Sequence, residues 1–353
     1  MNRVPLLEKL IKCKAVTENI TEVNNAIDIM HEFLLENNIY CTVEQCPDGR
    51  KVLYGATEET KAPDVLLNAH LDVVPATEDQ FIPRIEGDIM YGRGTGDCQG
   101  NATILADLLI RLKGKASVGA IFSTDEEHGG ISTSYMVRHG YTAKKIIIVI
   151  DGNPYAIAIA QKGIIDLALR ANSKGGHSST PWDFNNPIDM LIDGYIKLRN
   201  EWTQATQENQ WGDTMAPTIL NAGFAHNQIP DVAEMLINIR FINSADCESI
   251  IEKIKQITGL EVIIHGICEP FFADENTPVV QKLMATMRNK YPEKDIPFVR
   301  MNGATDARHF AKLSAPIAVI GTEHGGIHTA NEWVRLSSID KYTDMLEEFI
   351  LEI

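Results

Sequence analysis

The chain has 353 residues, 44% hydrophobic and 23% charged, which is an ordinary balance for a globular protein with a sizeable core. Its length predicts two domains. The formal net charge of −16, from 32 Lys and Arg against 48 Asp and Glu, argues against a nucleic acid or an anionic membrane as partner, because either would repel the chain. Most of this acidity is explained by solubility, and part of it by carboxylates committed to metal.

Targeting and redox signals are sparse. No secretory signal is expected, because residues 1–14 lack an apolar core and carry charges at Arg3, Glu8, Lys9 and Lys12. No apolar run approaches the roughly 20 residues of a membrane span. No C-x-x-C pair is formed by the six cysteines, Cys13, Cys41, Cys46, Cys98, Cys247 and Cys268. Buried or idle thiols in a reducing cytoplasm are therefore expected.

Strand and helix patterns alternate over the first 150 residues. A helix over residues 20–38, with Thr21 as its cap, is predicted by apolar residues at a helical period, namely Val23, Ile27, Met30 and Leu34. Further helices are predicted over 101–113 and 132–138, and strands over 52–56, 65–69, 118–123 and 146–150. This alternation predicts an α/β sheet covered by helices on both faces.

The pattern changes between residues 163 and 267. Strands are predicted over 163–171, 217–224, 234–241 and 261–267, with helices over 186–202 and 246–257. The resulting order, βαββαβ, is the ferredoxin-like arrangement, which can close on itself as a small domain. The alternation of helices and strands then resumes, with a helix predicted over 277–291, a strand over 315–320 and a helix over 340–351. We therefore expect one α/β domain, residues 1–162 and 271–353, interrupted by an inserted ferredoxin-like α+β domain, residues 163–270.

Five short segments place His, Asp or Glu at the end of a predicted strand, beside a glycine or a turn, where ligands bind in open α/β sheets. The first contains His70 and Asp72, which share a face of the chain because they are two residues apart. A carboxylate behind a histidine fixes its tautomer and strengthens it as a metal ligand. The alternative is a core histidine paired with an aspartate by chance.

The second segment is the glycine-rich turn over residues 92–97, Gly-Arg-Gly-Thr-Gly-Asp. It lacks the third glycine of a dinucleotide fingerprint and the Gly-Lys-Ser/Thr of a phosphate loop, which argues against a nucleotide-dependent oxidoreductase. Either it is a plain turn, or it bends the backbone so that Asp97 points inward. A thiolate ligand at Cys98 is disfavoured, because its neighbour Asp97 already points inward.

The remaining segments add carboxylates and one histidine. Residues 123–130, Ser-Thr-Asp-Glu-Glu-His-Gly-Gly, follow a strand too apolar to be a surface edge, although a solvated turn is the alternative. Neighbours in an extended chain point opposite ways, so either Glu126 or Glu127 can bind metal while the other faces substrate. Asp151 follows a buried strand, as a ligand or as a loop cap. The glycines between His324 and His328 argue against a helix, so a single one of these histidines is expected to act.

Charge arithmetic joins the pieces into a site for two zinc ions. The ligands in this arrangement are His70 and Asp151 on one ion, Glu127 and His328 on the other, and Asp97 between them. With a shared water each ion has four ligands, the number zinc prefers. Formally the ions bring +4, the three carboxylates −3 and a bridging hydroxide −1, so the site is neutral and its burial is not prohibitive. Glu126 is left over beside the water, as hydrolysis requires.

Together these motifs resemble the dinuclear zinc family of glutamate carboxypeptidase, aminoacylase, acetylornithine deacetylase and succinyl-diaminopimelate desuccinylase. The matching segments span nearly the whole chain: residues 69–75 (Ala-His-Leu-Asp-Val-Val-Pro), 92–97, 125–127 (Asp-Glu-Glu), Asp151, 176–179 (Gly-His-Ser-Ser) and 328–332 (His-Thr-Ala-Asn-Glu). Each segment alone is unspecific, but their order and spacing together are specific. The resemblance implies a zinc-exopeptidase-like three-layer α/β/α catalytic domain with an inserted lid and dimerisation domain.

The resemblance also implies a role for each matching residue. The metal ligands are those given above, with two zinc ions as cofactors and cobalt or manganese as possible substitutes. Asp72 orients His70, and Glu126 passes a proton from the bridging water to the leaving nitrogen. His177 steadies the oxyanion, often from the partner subunit, so a homodimer through the inserted domain is expected. Substrate contacts are implied for Asn227, Arg240, Gly303 and Thr305.

The expected function is hydrolysis of the amide or peptide bond of a small substrate with a free carboxylate, by an exopeptidase, dipeptidase or N-acyl amino acid hydrolase. Asp151-Gly152 stands where the deacylase branch has Glu-Pro, and this favours the peptidase and aminoacylase branch, as does Asn-Gly-Ala-Thr-Asp-Ala-Arg over 302–308. Acetylornithine deacetylase or succinyl-diaminopimelate desuccinylase is the alternative. A second alternative is a non-catalytic zinc-binding protein, and the presence of Glu126 argues against it.

Two further departures concern the substrate. Residues 97–100 read Asp-Cys-Gln-Gly where the family has Asp-Met-Lys-Gly, and residues 238–240 read Asn-Ile-Arg where it has Asp-x-Arg. Neither change touches the metal set, and both leave the identity of the substrate open.

Overall fold

The computed structural model describes residues 3–353, so the first two residues of the segment considered for a secretory signal lie outside it. The described helices are α1 (Val4–Lys12), α2 (Ile20–Glu36), α3 (Gln99–Leu112), α4 (Ile131–Arg138), α5 (Pro187–Glu201), α6 (Cys247–Thr258), α7 (Pro278–Lys290) and α8 (Leu336–Leu351). Over these 351 positions no helix is both long and apolar enough to cross a membrane.

The strands are β1 (Tyr40–Gln45), β2 (Lys51–Ala56), β3 (Val65–His70), β4 (Arg84–Glu86), β5 (Ile89–Tyr91), β6 (Val118–Ser123), β7 (Ile146–Pro154), β8 (Ile157–Gln161), β9 (Gly163–Asn172), β10 (Gly176–His177), β11 (Thr214–Ala222), β12 (Gln228–Ile229), β13 (Val232–Phe241), β14 (Glu261–Cys268), β15 (Phe271–Phe272), β16 (Phe298–Met301), β17 (Ile317–Gly321), β18 (His324–Gly325) and β19 (Trp333–Arg335).

The chain divides into two compact units. The first contains the described residues up to Ala160, together with Phe271–Arg300 and Thr305–Ile353. Its main sheet has the strand order β1-β2-β6-β3-β7-β17-β8-β15, with β16 paired to β8. The central strands β6, β3, β7 and β17 run parallel to one another. Their carboxyl ends therefore meet at one edge of the sheet, where the predicted ligands follow.

The central strands form because most of their residues are apolar. All six residues of β3 are buried, as are the first five of β7. A parallel strand covered on both faces reads as a continuous apolar run rather than an alternating one, which explains the pattern. The predicted cap of α2 was wrong: the helix begins at Ile20, and Asn19 caps it by accepting the N–H of Glu22. Thr21 lies inside the first turn.

The second unit contains Gln161–Pro270 and Met301–Ala304. Its antiparallel sheet has the order β11-β13-β9-β14, and the chain order β9-α5-β11-β13-α6-β14 is the ferredoxin-like arrangement. Alternate residues of β9 and β13, such as Ile165 and Ile237, form a core with Leu191 and Ile254 of the helices. The other alternate residues of these strands leave a more polar face, and a separate ribbon is formed by β10 and β12.

Candidate metal centre

The site lies at the carboxyl edge of the parallel strands of the first unit. His70 is the last residue of β3 and is in register with Ser123, the last residue of β6. Glu126 and Glu127 stand in a single 3-10 turn just after β6, and Asp151 lies on β7 directly after its buried run. The parallel register therefore places side chains from three strand ends close together, as the sequence predicts.

Asp97 lies between the two predicted histidines. Its Oδ1 is 2.9 Å from Nε2 of His70, and its Oδ2 is 3.1 Å from Nε2 of His328. The same nitrogen of His328 is 3.1 Å from Oε1 of Glu127, and Nε2 of His70 is 3.9 Å from Oδ1 of Asp151. All five predicted ligands are thus in one cluster. The two oxygens of Asp97 face different histidines, which is the arrangement that a bridging carboxylate requires.

The protonation pattern of His70 indicates a cation in this cluster. Nδ1 of His70 lies 2.9 Å from the carbonyl oxygen of Asp72, so this nitrogen must be the donor. In a neutral ring Nε2 then carries a lone pair, and it faces the carboxylate of Asp97. Such a contact is favourable only with a proton or a metal ion on Nε2. The ligand atoms of His70, Asp97 and Glu127 all lie within 4.8 Å of one another, and this nitrogen and oxygen set suits zinc.

Without metal, protons take the place of the cations. The hydrogen bond to Asp97 raises the pKa of His328 to about 9. Burial lowers the pKa of His70, but the hydrogen bonds to Asp72 and Asp97 and the charge of Asp72 raise it well above its ordinary value. Burial raises the pKa of Asp97, and the hydrogen bonds from His328 and His70 outweigh this and hold it well below its usual range. A divalent ion that binds here has to displace the protons on the histidines.

Asp72 has a second role beside orienting His70. Its carboxylate is 3.4 Å from Nδ1 of His70 and accepts a hydrogen bond of 2.9 Å from the hydroxyl of Thr17. It also accepts the backbone N–H groups of Glu126 and Glu127, at 3.2 and 3.4 Å. One buried carboxylate therefore positions both a histidine ligand and the glutamate turn. The spacing of His70 and Asp72 predicted only the first of these contacts.

The two glutamates occupy different surroundings. Glu127 lies against His328, among the ligands, whereas Oε1 of Glu126 is 3.5 Å from Nη2 of Arg308. That guanidinium also donates to the backbone carbonyl of Glu126 at 3.2 Å. Burial raises the pKa of Glu126 to about 8, with His70 and Arg308 opposing the rise. Arg308 was not predicted as a site residue. The only signal for it in the sequence is its position in residues 302–308, a segment that resembles the family.

Cys98 lies closer to the cluster than the sequence predicts. Its Sγ lies within 4.8 Å of the ligand atoms of both His70 and Asp151. The expectation that Cys98 points away from its neighbour was wrong, because the segment before α3 consists of bends and not of a strand with alternating side chains. Burial raises the pKa of this thiol well above its ordinary value, and Sγ donates to the carbonyl of Ile150 at 3.0 Å. In the metal-free chain it is a hydrogen-bonded thiol.

The second unit brings two of its predicted residues together and keeps a third apart. His177 and Asn227 are both exposed: His177 is the last residue of β10, Asn227 directly precedes β12, and the N–H of Ser178 donates to the carbonyl of Asn227 at 3.1 Å. Arg240 is near the opposite end of β13, paired with Ile164. The eight residue steps from Val232 to Arg240 span about 26 Å at the rise of an extended strand.

The remaining substrate positions differ in exposure. Gly303 is exposed, in the short segment Met301–Ala304. Thr305 is buried, and its hydroxyl accepts the N–H of Ala307 at 3.2 Å and so caps the 3-10 helix Asp306–Phe310. The hydroxyl of Thr305 therefore has a local structural role as a helix cap.

Comparison with known proteins agrees with this geometry. A model of peptidase family M20/M25/M40 matches residues 66–352. A succinyl-diaminopimelate desuccinylase from Rickettsia bellii is 26% identical over 382 aligned positions, covering 98% of this chain and 95% of the relative. Among solved structures, the M20 family metallo-carboxypeptidase Sso-CP2 from Sulfolobus solfataricus has a TM-score of 0.82 at 16% identity, with 99% of each chain covered. The YXEP protein of Bacillus subtilis, a dinuclear metal-binding peptidase, has a TM-score of 0.71 at 13% identity, covering 99% of this chain and 98% of its own. The likeness to these structures confirms the predicted α/β fold.

Proposed function

The chain belongs to peptidase family M20/M25/M40, and we propose that this metallohydrolase cleaves the amide bond of a dipeptide or N-acyl amino acid with a free carboxylate. One observation carries the proposal. Asp97 faces two histidines with its two oxygens, while Glu126, beside them, is paired with Arg308 instead of the ligand set. The site thus separates carboxylates suited to hold metal from one suited to move a proton.

We assign two zinc ions to this cluster. His70 and Asp151 would hold one, Glu127 and His328 the other, and Asp97 both. When bound, such a pair polarises the scissile carbonyl and lowers the pKa of water so that a nucleophile exists at neutral pH. Asp72 keeps Nε2 of His70 directed at the cluster, because Nδ1 is held as a donor on the opposite side of the ring.

Glu126 is the residue assigned to proton transfer. In its anionic form its carboxylate accepts a proton from the attacking water, and in its neutral form it donates that proton to the leaving nitrogen. Burial raises its pKa to about 8 in the metal-free chain, which brings both forms within reach near neutral pH. Arg308 holds the side chain and the backbone of Glu126 from one side, so the carboxyl group keeps its place while its charge changes.

The test is turnover of a substrate panel by the metal-free chain, alone and after addition of zinc, cobalt or manganese. The panel contains dipeptides, N-acetyl amino acids and N-succinyl amino acids, each with a free carboxylate. We expect no turnover without metal and turnover of at least one class after metal is added. Selective turnover of the N-succinyl class would instead favour a desuccinylase, the activity named for the Rickettsia bellii relative. Zinc binding without turnover of any class would favour the non-catalytic alternative.

A free carboxylate on the substrate is predicted because of Arg240. On the polar face of the second unit, Nε of Arg240 donates to Oδ1 of Asn238 at 3.0 Å. We assign to its guanidinium a paired hydrogen bond with the substrate carboxylate, the geometry in which arginine binds best. Changing Arg240→Ala, or amidating the substrate, should lower kcat/KM by about 30-fold or more, equivalent to about 2 kcal/mol for a lost charged hydrogen bond.

Arg240→Lys is the matched variant, and it should recover little of the lost kcat/KM, because the ammonium group of lysine is a point charge that cannot form the paired hydrogen bond with a carboxylate. The measurement is kcat/KM for a substrate acid and for its amide, with wild type and both variants. Equal values for the acid and the amide in the wild type would remove Arg240 from the site and favour a neutral-amide hydrolase.

We further assign residues 163–270 the role of a lid and dimerisation domain in a homodimer. The edge position of β11 supports this assignment, since Ile219 and Leu220 are exposed on this strand, which pairs with β13 on one side only. Ile192 and Ile196 of α5 are exposed in the same unit. We place the enzyme in a reducing cytoplasm because none of the six cysteines, all of which lie within the described residues, forms a disulfide, as expected where thiols stay reduced.

A further inference from the structure

The carboxylate of Glu332 is surrounded by donors from the loop that carries Asp97. Its Oε1 accepts three backbone N–H groups, those of Gly94, Gly96 and Asp97, at 3.0, 3.0 and 3.1 Å. Its Oε2 accepts Nη1 of Arg93 at 2.6 Å. The side chains of Arg93 and Glu332 are 4% and 0% exposed, so this ion pair lies in the interior. The backbone of the bridging ligand is therefore bonded directly to Glu332.

The same pair also holds the segment that carries His328. Nη2 of Arg93 donates to the carbonyl of Thr329 at 3.3 Å, next to His328 in the chain. The N–H of Gly92 donates to the carbonyl of Glu332 at 3.1 Å, so the two segments are joined at the backbone as well. Asp97 and His328 come from segments far apart in sequence, and the Arg93–Glu332 pair connects them.

Stability alone does not explain a buried charge pair at this place. Removing two charges from water costs as much as their attraction returns, so buried ion pairs are weak contributors to folding free energy. The conformations around the pair do require support. His328 has φ +59, in the left-handed region that residues other than glycine rarely adopt. Gly94 has φ +88, and a Cβ there would lie 2.8 Å from Oε1 of Gln99. Both segments are held in uncommon shapes where they present ligands.

We propose that Glu332 is a positioning residue that, with Arg93, holds Asp97 and His328 in the relative geometry that binds the metal pair. The proposal rests on the ligand set assigned under the proposed function. Glu332 does not touch the ions in this assignment. It acts through the loop backbone and through Arg93, and its loss should weaken metal binding before it unfolds the chain.

The test is zinc affinity of the metal-free protein, measured in competition with a chromophoric chelator. Glu332→Gln keeps the size of the side chain and one acceptor oxygen but turns amide hydrogens toward Arg93. We expect zinc affinity to fall about 10- to 100-fold, the usual effect of losing a group that orients a ligand. At saturating zinc, kcat should return toward that of the wild type with KM unchanged, because the catalytic groups are intact.

Asp107→Asn is the matched control. Asp107 forms an equally buried pair with Arg3, whose Nε donates to it at 3.0 Å, and the side chains are 2% and 4% exposed. It lies in α3, about two turns from the end that follows Asp97. Zinc affinity of this variant should stay within about threefold of wild type, even where the melting temperature falls as much as in Glu332→Gln.

Three outcomes decide the matter. A Glu332→Gln variant with wild-type zinc affinity, or with a loss no larger than that of Asp107→Asn, overturns the positioning role. If Asp97→Asn also keeps wild-type affinity, the ligand set itself is wrong and the proposed function fails with it. If Glu332→Gln does not fold, the double variant Arg93→Met with Glu332→Gln removes both buried charges, and the same comparison of zinc affinity applies to it.

Discussion

Replacing Glu126 with Gln is expected to lower turnover by about 10²-fold or more while zinc binding stays at the wild-type level. The amide has the size of the carboxylate but cannot accept and return a proton near neutral pH. Glu126 is paired with Arg308 and not with His328, so its loss removes no assigned ligand. The measurements are kcat on a substrate identified in the panel and the zinc content of the same preparation.

Glu127→Gln is the matched control, one residue along the same turn. Oε1 of Glu127 is 3.1 Å from Nε2 of His328, within the ligand cluster, so this variant should lose zinc affinity as well as activity. The pair of variants therefore separates the two roles. Full activity of Glu126→Gln would show that another group moves the proton. Loss of zinc from Glu126→Gln, with zinc retained in Glu127→Gln, would show that the two roles are exchanged.

The cluster of candidate ligands could be predicted from the sequence because its residues follow local patterns. His70, Glu127 and Asp151 stand at or just after the ends of apolar strands, and in a parallel sheet such ends share one edge. The strands themselves were predictable for a related reason: complete burial makes β3 and β7 continuous apolar runs. The pairing of ligands with ions came from the charge count and from family resemblance, because periodicity carries no information about it.

The supporting contacts could not be predicted in this way. Arg93 and Glu332 are 239 residues apart, and Arg308 and Glu126 are 182 apart, so neither pair leaves a local signal. Short strands such as β5 and β18 are too brief for a period-two pattern to appear. α1 was also missed, although Leu6, Leu7, Leu10 and Ile11 are buried and Pro5 marks its first turn.

His177→Ala is expected to lower turnover by about 10²- to 10³-fold, the usual cost of removing one donor to a developing oxyanion. We propose that His177 serves the active site of a partner subunit. His177 lies in the β10–β12 ribbon, which precedes the Val232 end of β13 in the chain, whereas Arg240 is near the other end of β13, about 26 Å from Val232 along the strand. A dipeptide is much shorter than this length, so we expect two copies to contribute the two groups if both contact the substrate.

Mixing two inactive variants tests this directly. Glu126→Ala lacks the proton-transfer group and His177→Ala lacks the oxyanion donor, but a mixed dimer contains one site with both groups when His177 acts across the interface. Random exchange makes half of the dimers mixed, so about a quarter of wild-type activity should return. His226→Ala, at an exposed histidine in the turn before β12, should by itself keep wild-type turnover. If verified mixed dimers remain inactive, His177 acts within its own chain.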